Sequence, residues 1–81
     1  MINVIIKLTG QFINLAPPES EKGVFTAFYG AGITLSSLLK QLGVESTGLK
    51  YTALVNNSRQ SADYVLQDSD SVTIMPLLAG G

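Results

Sequence analysis

The sequence predicts an α+β fold in which a mixed sheet of four or five strands packs against one main helix. Two observations support this prediction. Several short segments alternate apolar and polar residues or are rich in β-branched and aromatic ones, and one segment carries leucines at helical spacing. A single amphipathic helix has one apolar stripe to bury, and one face of a sheet can cover it. The 81 residues are expected to form one domain.

The first half of the predicted sheet is a hairpin. Residues 2–9 have apolar side chains at every second position, which is typical of a strand with one face in the core. After Gly10, residues 11–16 are predicted to form a short turn, and the proline-opened polar segment 17–23 a surface loop. The aromatic and β-branched residues 24–29 form the second predicted strand, antiparallel to the first.

The helix is the element with the strongest local signals. Its apolar stripe consists of four leucines at positions i, i+3, i+4 and i+7, namely Leu35, Leu38, Leu39 and Leu42. Thr34 is placed to act as N-cap, and Gly43 stands where a left-handed C-cap residue is expected.

The remaining strands are shorter. Residues 51–55 are predicted to form a strand that stops at Asn56, residues 64–66 a short strand, and residues 72–75 a final strand broken by Pro76. The connection from the second strand through the helix to the third is of the parallel type, which brings both chain ends to central strands. This order of elements is the β-grasp arrangement. We assign it to residues 1–76 and predict a flexible tail over residues 77–81.

Composition excludes most enzyme chemistry. The chain has no cysteine and no histidine, and it therefore lacks the best nucleophile, the commonest general base and the commonest metal ligands. Asp68 and Asp70 offer too few oxygens for a calcium site, so we interpret them as a solvated turn. We expect a carrier or binding protein that is not an enzyme and holds no metal or cofactor.

Charge and hydropathy indicate the class of partner. The net charge is −1 and the five basic residues are scattered, so no nucleic-acid interface is expected. The sequence has neither a signal-peptide pattern nor an apolar run near the roughly 18 residues of a membrane span, so a cytoplasmic location is expected. The charged fraction of 14% is low. It indicates either an apolar surface that binds proteins or simply a weakly charged acidic protein.

The C-terminal tail is the place where chemistry is expected. The segment after Pro76 reads Leu77, Leu78, Ala79, Gly80 and Gly81. A carboxylate becomes reactive only when another protein attaches a good leaving group, and glycines without Cβ can enter a narrow channel. Five extended residues reach about 17 Å. The interpretation is that residues 76–80 bind a partner and that the Gly81 carboxylate reacts, although the leucines could also be the frayed end of the last strand.

Several motifs resemble one family along nearly the whole chain. The helix region 32–43 resembles the motif G-x-T-L-x-x-L-L-x-x-L-G, residues 54–56 a strand ending in V-N, and residues 66–72 the motif L-x-D-G-D-x-V. Pro76 followed by a terminal Gly-Gly resembles the family's ending. The chain therefore resembles the MoaD/ThiS sulfur carriers of molybdopterin and thiamine biosynthesis, which have the ubiquitin-like fold.

Two positions depart from the family pattern. The glycine between the two aspartates is Ser69 here; if the turn needs a positive φ, serine costs about 1 kcal/mol. The second proline expected after Pro76 is Leu77, which we expect to loosen the exit of the tail.

The resemblance implies a cycle carried out by partners. An E1-like adenylating enzyme would use ATP to adenylate Gly81, and a sulfur donor would convert it to a thiocarboxylate. The acceptor would be the molybdopterin synthase large subunit, in a molybdopterin or tungstopterin pathway, or a thiazole synthase in thiamine synthesis. The chain length and the loop 17–23 favour the molybdopterin branch. A ubiquitin-like protein modifier and a β-grasp interaction module with incidental glycines remain as alternatives.

Overall fold

The computed structural model describes residues 1–77. Its strands are β1 (Ile2–Leu8), β2 (Val24–Tyr29), β3 (Tyr51–Val55), β4 (Ser58–Arg59) and β5 (Asp70–Pro76). The main helix is α1 (Leu35–Leu42), and two 3-10 helices span Gly10–Leu15 and Glu45–Thr47. The predicted strands and helix of the first half of the chain are confirmed. The segment 11–16, predicted as a short turn, contributes residues 11–15 to the first 3-10 helix.

The five strands form one mixed sheet in the order β2-β1-β5-β3-β4. β1 pairs antiparallel with β2 and parallel with β5, whereas β3 pairs antiparallel with both β5 and β4. The first and last strands of the chain are therefore neighbours at the centre of the sheet, as predicted. One main helix on this sheet gives the β-grasp, ubiquitin-like fold.

The core lies between α1 and one face of the sheet. Every second residue of β1 from Val4 to Leu8 is buried, in agreement with the alternation of the sequence. The buried apolar side chains of the described residues are Val4, Ile6, Leu8, Phe12, Leu35, Leu38, Leu39, Val44, Val55, Leu66, Val72 and Ile74. Each contributes about 1.5–3 kcal/mol by leaving water.

The N-terminus of α1 is capped from within and from outside the helix. The Thr34 hydroxyl accepts a hydrogen bond from the Ser37 N–H at 3.2 Å, which confirms the predicted N-cap. The N–H groups of Leu35 and Ser36 donate to backbone carbonyls in segment 62–64, each at 2.9 Å. The first three N–H groups of the helix, which have no partner inside it, are thereby satisfied.

The short fourth strand was predicted at the wrong place. Residues 64–66 support the start of α1 and contribute only an isolated bridge, between Val65 and Thr34. The strand is Ser58–Arg59, which pairs with β3 across a turn in which Asn56 and Asn57 have φ of 51° and 68°. Asparagine tolerates these angles, and paired positive φ values are typical of tight hairpins.

The last strand is longer than the predicted residues 72–75. It begins at Asp70, because the register of the parallel ladder pairs Asp70 with Val4 and Ser71 with Ile5. Two polar residues do not fit an apolar strand pattern, so the sequence did not indicate them. Pro76 is the last residue of the strand, so the strand ends at the predicted proline and includes it.

Asp70 is a buried carboxylate, which corrects the prediction of a solvated turn. Its side chain is 6% exposed. It accepts hydrogen bonds from the Gln67 N–H at 2.8 Å, the Asn56 amide at 2.9 Å and the Tyr64 hydroxyl at 3.1 Å. Asp68 is exposed and accepts a bond from the backbone at the start of β1. Asp70 therefore joins three segments of chain around the beginning of β5.

These hydrogen bonds decide the charge state of Asp70. Desolvation raises the pKa of its carboxyl, but the donors from Gln67, Asn56 and Tyr64 stabilise the carboxylate and lower the pKa overall. Desolvation and the bond to Asp70 raise the pKa of the Tyr64 hydroxyl. At neutral pH the pair is therefore a hydroxyl donor and a charged acceptor.

Removal of the Asp70 charge should destabilise the fold and make its free energy of unfolding less dependent on pH in acid. Asp70→Asn should lower the free energy of unfolding at pH 7 by about 2 kcal/mol, because three donors lose a charged acceptor. The native carboxyl binds a proton less readily than the unfolded one, so its contribution is present above the unfolded pKa of about 3.9 and is lost at lower pH. Thermal unfolding between pH 7 and pH 2.5 measures both effects.

The matched control is Glu19→Gln, which removes a charge from an exposed side chain. Its unfolding curves should follow those of the wild type at every pH. Equal acid sensitivity in the wild type and the Asp70→Asn variant would contradict the role given to this carboxylate.

Ser69 allows a test of backbone strain in the turn before β5. Its φ is +71°, so the turn does require the left-handed region. Ser69→Gly should raise the free energy of unfolding by about 0.5–1 kcal/mol, because relief of the strained serine outweighs the greater freedom of glycine in the unfolded chain. Ser71→Gly, two residues later in the extended strand β5, should lower it by a similar amount. Urea unfolding of both variants checks the opposite signs; equal signs would contradict the argument.

Candidate functional site at the C-terminal tail

Strand pairing continues to the end of the described chain. The Leu77 N–H donates to the carbonyl of Lys50 at 3.0 Å. Pro76 lies opposite Tyr51, at a position where the antiparallel ladder needs no N–H from it. The bond from Leu77 argues against the expectation that leucine in place of a second proline loosens the exit, because a proline at position 77 could not donate it. The assignment of residues 1–76 to the domain and 77–81 to a flexible tail stays a prediction.

The other side of the exit is held by the end of β1. The Thr9 N–H and hydroxyl both donate to the carbonyl of Ile74, at 3.0 and 3.1 Å. Gly10 follows with a φ of +58°, and a Cβ added there would lie 2.7 Å from the Cγ of Pro76. The proline ring therefore packs directly on the Gly10 backbone, where only glycine leaves room for it.

The predicted site residues fall into two groups. Pro76 and Leu77 lie at the exit just described, and the Leu77 side chain is 53% exposed. Leu78, Ala79, Gly80 and Gly81, including the predicted reactive carboxylate, lie outside the described residues. Four residues beyond Leu77 span at most about 14 Å when extended.

Exposed apolar side chains lie on the sheet face opposite the helix. Strand alternation places one set of side chains on this open face, and its exposed members include Ile5, Val24 and Phe28, with Phe28 63% exposed. The half-buried Met75 of β5 belongs to the same face and comes two residues before Leu77. Polar side chains of the same face, Lys7, Thr26, Ser71 and Thr73, lie between these apolar positions, so the face is a mixture of apolar and polar side chains.

Side-chain chemistry is limited in the described part of the chain. Residues 1–77 contain no group of three or more histidine, cysteine, aspartate or glutamate side chains that could hold a metal. The buried Asp70 is committed to its three donors and lies at the opposite end of β5 from Pro76. No helix within residues 1–77 is long and apolar enough to cross a membrane.

Sequence reasoning missed the residues that hold the exit. Gly10 was interpreted only as the end of a strand, and neither Thr9 nor Lys50 was singled out. Each acts on the exit through a contact with a residue distant in sequence. Short-range periodicity and turn signals carry no information about such contacts.

Three solved structures with the same fold come from archaea. A putative molybdopterin converting factor, subunit 1, from Pyrococcus furiosus is 18% identical, with 96% of this chain and 100% of that chain covered and a TM-score of 0.79. Two structures of small archaeal modifier protein 1 (SAMP1) from Haloferax volcanii are 15% and 11% identical, with TM-scores of 0.75 and 0.77. They cover 98% and 96% of this chain, and 99% and 100% of their own. At these identities the similarity shows the fold.

Sequence comparison identifies the family. A search of curated proteins found no match. The profile of the ThiS family matches residues 6–81, a range that includes both final glycines. Members of the ThiS and MoaD group are small carrier proteins that work with E1-like enzymes and synthase subunits, so the family match assigns this chain to the sulfur carriers of the ThiS type. The chain belongs to the ThiS family.

Proposed function

We propose that this protein carries sulfur as a thiocarboxylate on Gly81 and donates it in the synthesis of the molybdopterin or tungstopterin cofactor. The observation that carries the proposal is the ThiS family match, which extends through Gly80 and Gly81. A thiazole synthase of thiamine synthesis is the alternative acceptor. The reactive group belongs to the backbone, which agrees with a chain that has no histidine or cysteine.

The chemistry requires two steps on the same carboxyl carbon. In an E1-like partner, the Gly81 carboxylate attacks the α-phosphorus of ATP, so that an acyl-adenylate forms and pyrophosphate leaves. A sulfide-level sulfur donor then attacks the acyl carbon; a carbon–sulfur bond forms and AMP leaves with the former carboxylate oxygen. The carrier binds no cofactor of its own in this cycle, because the partner binds the ATP. These steps are expected in the cytoplasm.

The exit geometry supports presentation of the tail to a partner. Leu77 is hydrogen-bonded to Lys50, and Pro76 packs on Gly10, so the tail starts from a defined point on the sheet. From there about 14 Å of extended chain can enter a channel. Because glycine has no Cβ, the last two residues can pass between closely spaced walls.

The open sheet face supports the docking of the same partners. Its apolar side chains, such as Phe28 and Ile5, are exposed, and apolar patches of this kind mark interaction sites. We infer that the adenylating enzyme and the acceptor subunit each bind this face while the tail enters their active site. The low charged fraction is then explained as an apolar surface for proteins.

Protein modification is the competing function for the same terminus. The SAMP1 structures belong to a small archaeal modifier protein, and an adenylated glycine can acylate a lysine amine as well as a sulfur donor. The two functions differ in their product, which is an isopeptide-linked conjugate in one and a thiocarboxylate in the other.

Intact-mass spectrometry tests the proposal directly. The protein is incubated with an E1-like enzyme from the same organism, ATP and a sulfide source. We expect a mass gain equal to one oxygen-to-sulfur exchange, localised to Gly81 by fragmentation. Deletion of Gly80 and Gly81 should abolish the gain and leave the thermal unfolding midpoint unchanged, because both residues follow the last described strand contact.

A known carrier treated in parallel shows that the assay works. Under those conditions an unchanged mass would contradict sulfur carriage. Lysine conjugates without any thiocarboxylate would assign the protein to the modifier class instead. Unfolding of the truncated protein would contradict the separation of tail and domain.

The exit contact gives an independent prediction. Gly10→Ala should lower the free energy of unfolding by about 1–3 kcal/mol, because the new Cβ overlaps Pro76 and the left-handed φ strains alanine. We also expect slower thiocarboxylate formation at a temperature where the variant remains folded, since the start of the tail is displaced. Gly30→Ala is the control, because a Cβ at position 30 meets nothing within 4 Å. Equal stability of the two variants would contradict the packing of Pro76 on Gly10.

A further inference from the structure

The two edges of the sheet differ in how they are protected against pairing. β4 is two residues long and contains Arg59, and short, charged edges are protected against pairing with other chains. β2 has six residues, of sequence VFTAFY, with neither charge nor proline. The edge formed by β2 therefore lacks the features that normally prevent a second strand from adding to it.

The phase of the β1–β2 ladder shows which groups of this edge are free. The Leu8 N–H donates to the Gly23 carbonyl at 2.9 Å. Hydrogen-bonded and non-hydrogen-bonded pairs alternate along an antiparallel ladder. In this register the backbone N–H and C=O groups of Phe25, Ala27 and Tyr29 point towards β1. The N–H and C=O groups of the alternate residues in β2 point away from the sheet.

Only the middle of this edge is open. Val24 exchanges both of its backbone hydrogen bonds with Glu21, at 2.9 and 3.1 Å. Within residues 1–77, Thr26 and Phe28 have no backbone hydrogen bond outside the strand ladders, and both residues are exposed. The free edge therefore consists of two donors and two acceptors, on residues 26 and 28.

We propose that β2 pairs antiparallel with β2 of a second copy, with Thr26 of one copy opposite Phe28 of the other. In this register each Thr26–Phe28 pair exchanges two hydrogen bonds. All four open groups of each copy are then satisfied by a symmetric dimer. Ala27 lies on the two-fold axis opposite Ala27 of the second copy, in a non-hydrogen-bonded pair. The two sheets become one sheet of ten strands.

Charge and side-chain placement favour a second copy as the occupant. β2 has no charge that could attract an oppositely charged peptide, and with a net charge of −1 two copies repel each other little. On the open face, the register places Phe28 diagonally across from Phe28 and Val24 of the second copy, within reach of an aromatic ring. These two side chains are 63% and 41% exposed in the single chain.

The association is expected to be weak and to leave the start of the tail accessible. Two bonded residues per copy form a small interface, of the class typical of transient contacts. The tail leaves from β5, which β1 separates from β2. The dimer therefore leaves Pro76 and the start of the tail accessible, and it does not depend on the chemistry of Gly81.

Disulfide trapping tests the register, because the native chain has no cysteine. In the full chain, Ala27→Cys should form a disulfide-linked dimer, since Cα atoms of a non-hydrogen-bonded pair lie about 4.5 Å apart, within disulfide range. The rate of disulfide formation is divided by the reactivity of each thiol towards a small disulfide reagent. This normalised rate should be about tenfold or more higher for Ala27→Cys than for Thr26→Cys or Ser58→Cys. Ser58, on the other edge, reports random collision.

NMR of the unmodified protein provides the second measurement. Amide shifts should depend on protein concentration up to about 1 mM, and the changes should centre on Thr26 and Phe28. Thr26→Pro should abolish them and preserve the fold, because the Thr26 N–H is not used inside the sheet. The proposal would be overturned if Ala27→Cys formed disulfides no faster than Ser58→Cys, or more slowly than Thr26→Cys. Concentration-dependent amide shifts confined to other residues would overturn it as well.

Discussion

The parallel pairing of the first and last strands is the constraint on which the rest of the structure depends. β1 and β5 lie side by side at the centre of the sheet, in register from Val4 opposite Asp70 to Leu8 opposite Ile74. Every other strand is added outside this pair, and both strands contribute fully buried side chains to the core. The pair joins the two ends of the chain, so the loop-closure entropy of nearly the whole molecule must be overcome to form it. As a result, the last described residue, Leu77, follows directly from a central strand of the sheet.

Asp70 extends this constraint to the helix. Its carboxylate binds Asn56 from the turn before β4, and also Tyr64 and Gln67. Segment 62–64 in turn supplies carbonyls to the first N–H groups of α1. One buried charge thus connects the β4 turn, the helix cap and the central strand, and charge-assisted hydrogen bonds compensate for its desolvation. This arrangement explains why an acidic residue begins a strand whose other inward side chains are apolar.

The sequence was sufficient where structure is decided locally. The bounds of α1 follow from its leucines, its Thr34 cap and Gly43, which has the expected left-handed φ of 81°. It was insufficient where a distant residue decides the structure. Ser58 and Arg59 form a strand only because β3 lies beside them, and Gly10 matters because Pro76 packs on it. For the site, the terminal Gly-Gly pointed to backbone chemistry and the family resemblance supplied the reaction that we propose, but the residues that hold the exit could not be predicted.

A carrier that reacts at its own terminus separates reactivity from stability. The described core lies between Val4 and Ile74, whereas the proposed reactive carbon belongs to Gly81, at most about 14 Å of extended chain beyond Leu77. Under the proposed function, two kinds of substitution in the domain are expected to change sulfur transfer while the fold survives. They move the exit, as at Gly10, or they alter the sheet face proposed for docking. The first acts through the packing of Pro76 on the Gly10 backbone, and the second through exposed apolar side chains such as Phe28 and Ile5, so substitutions at the two places should have separable effects.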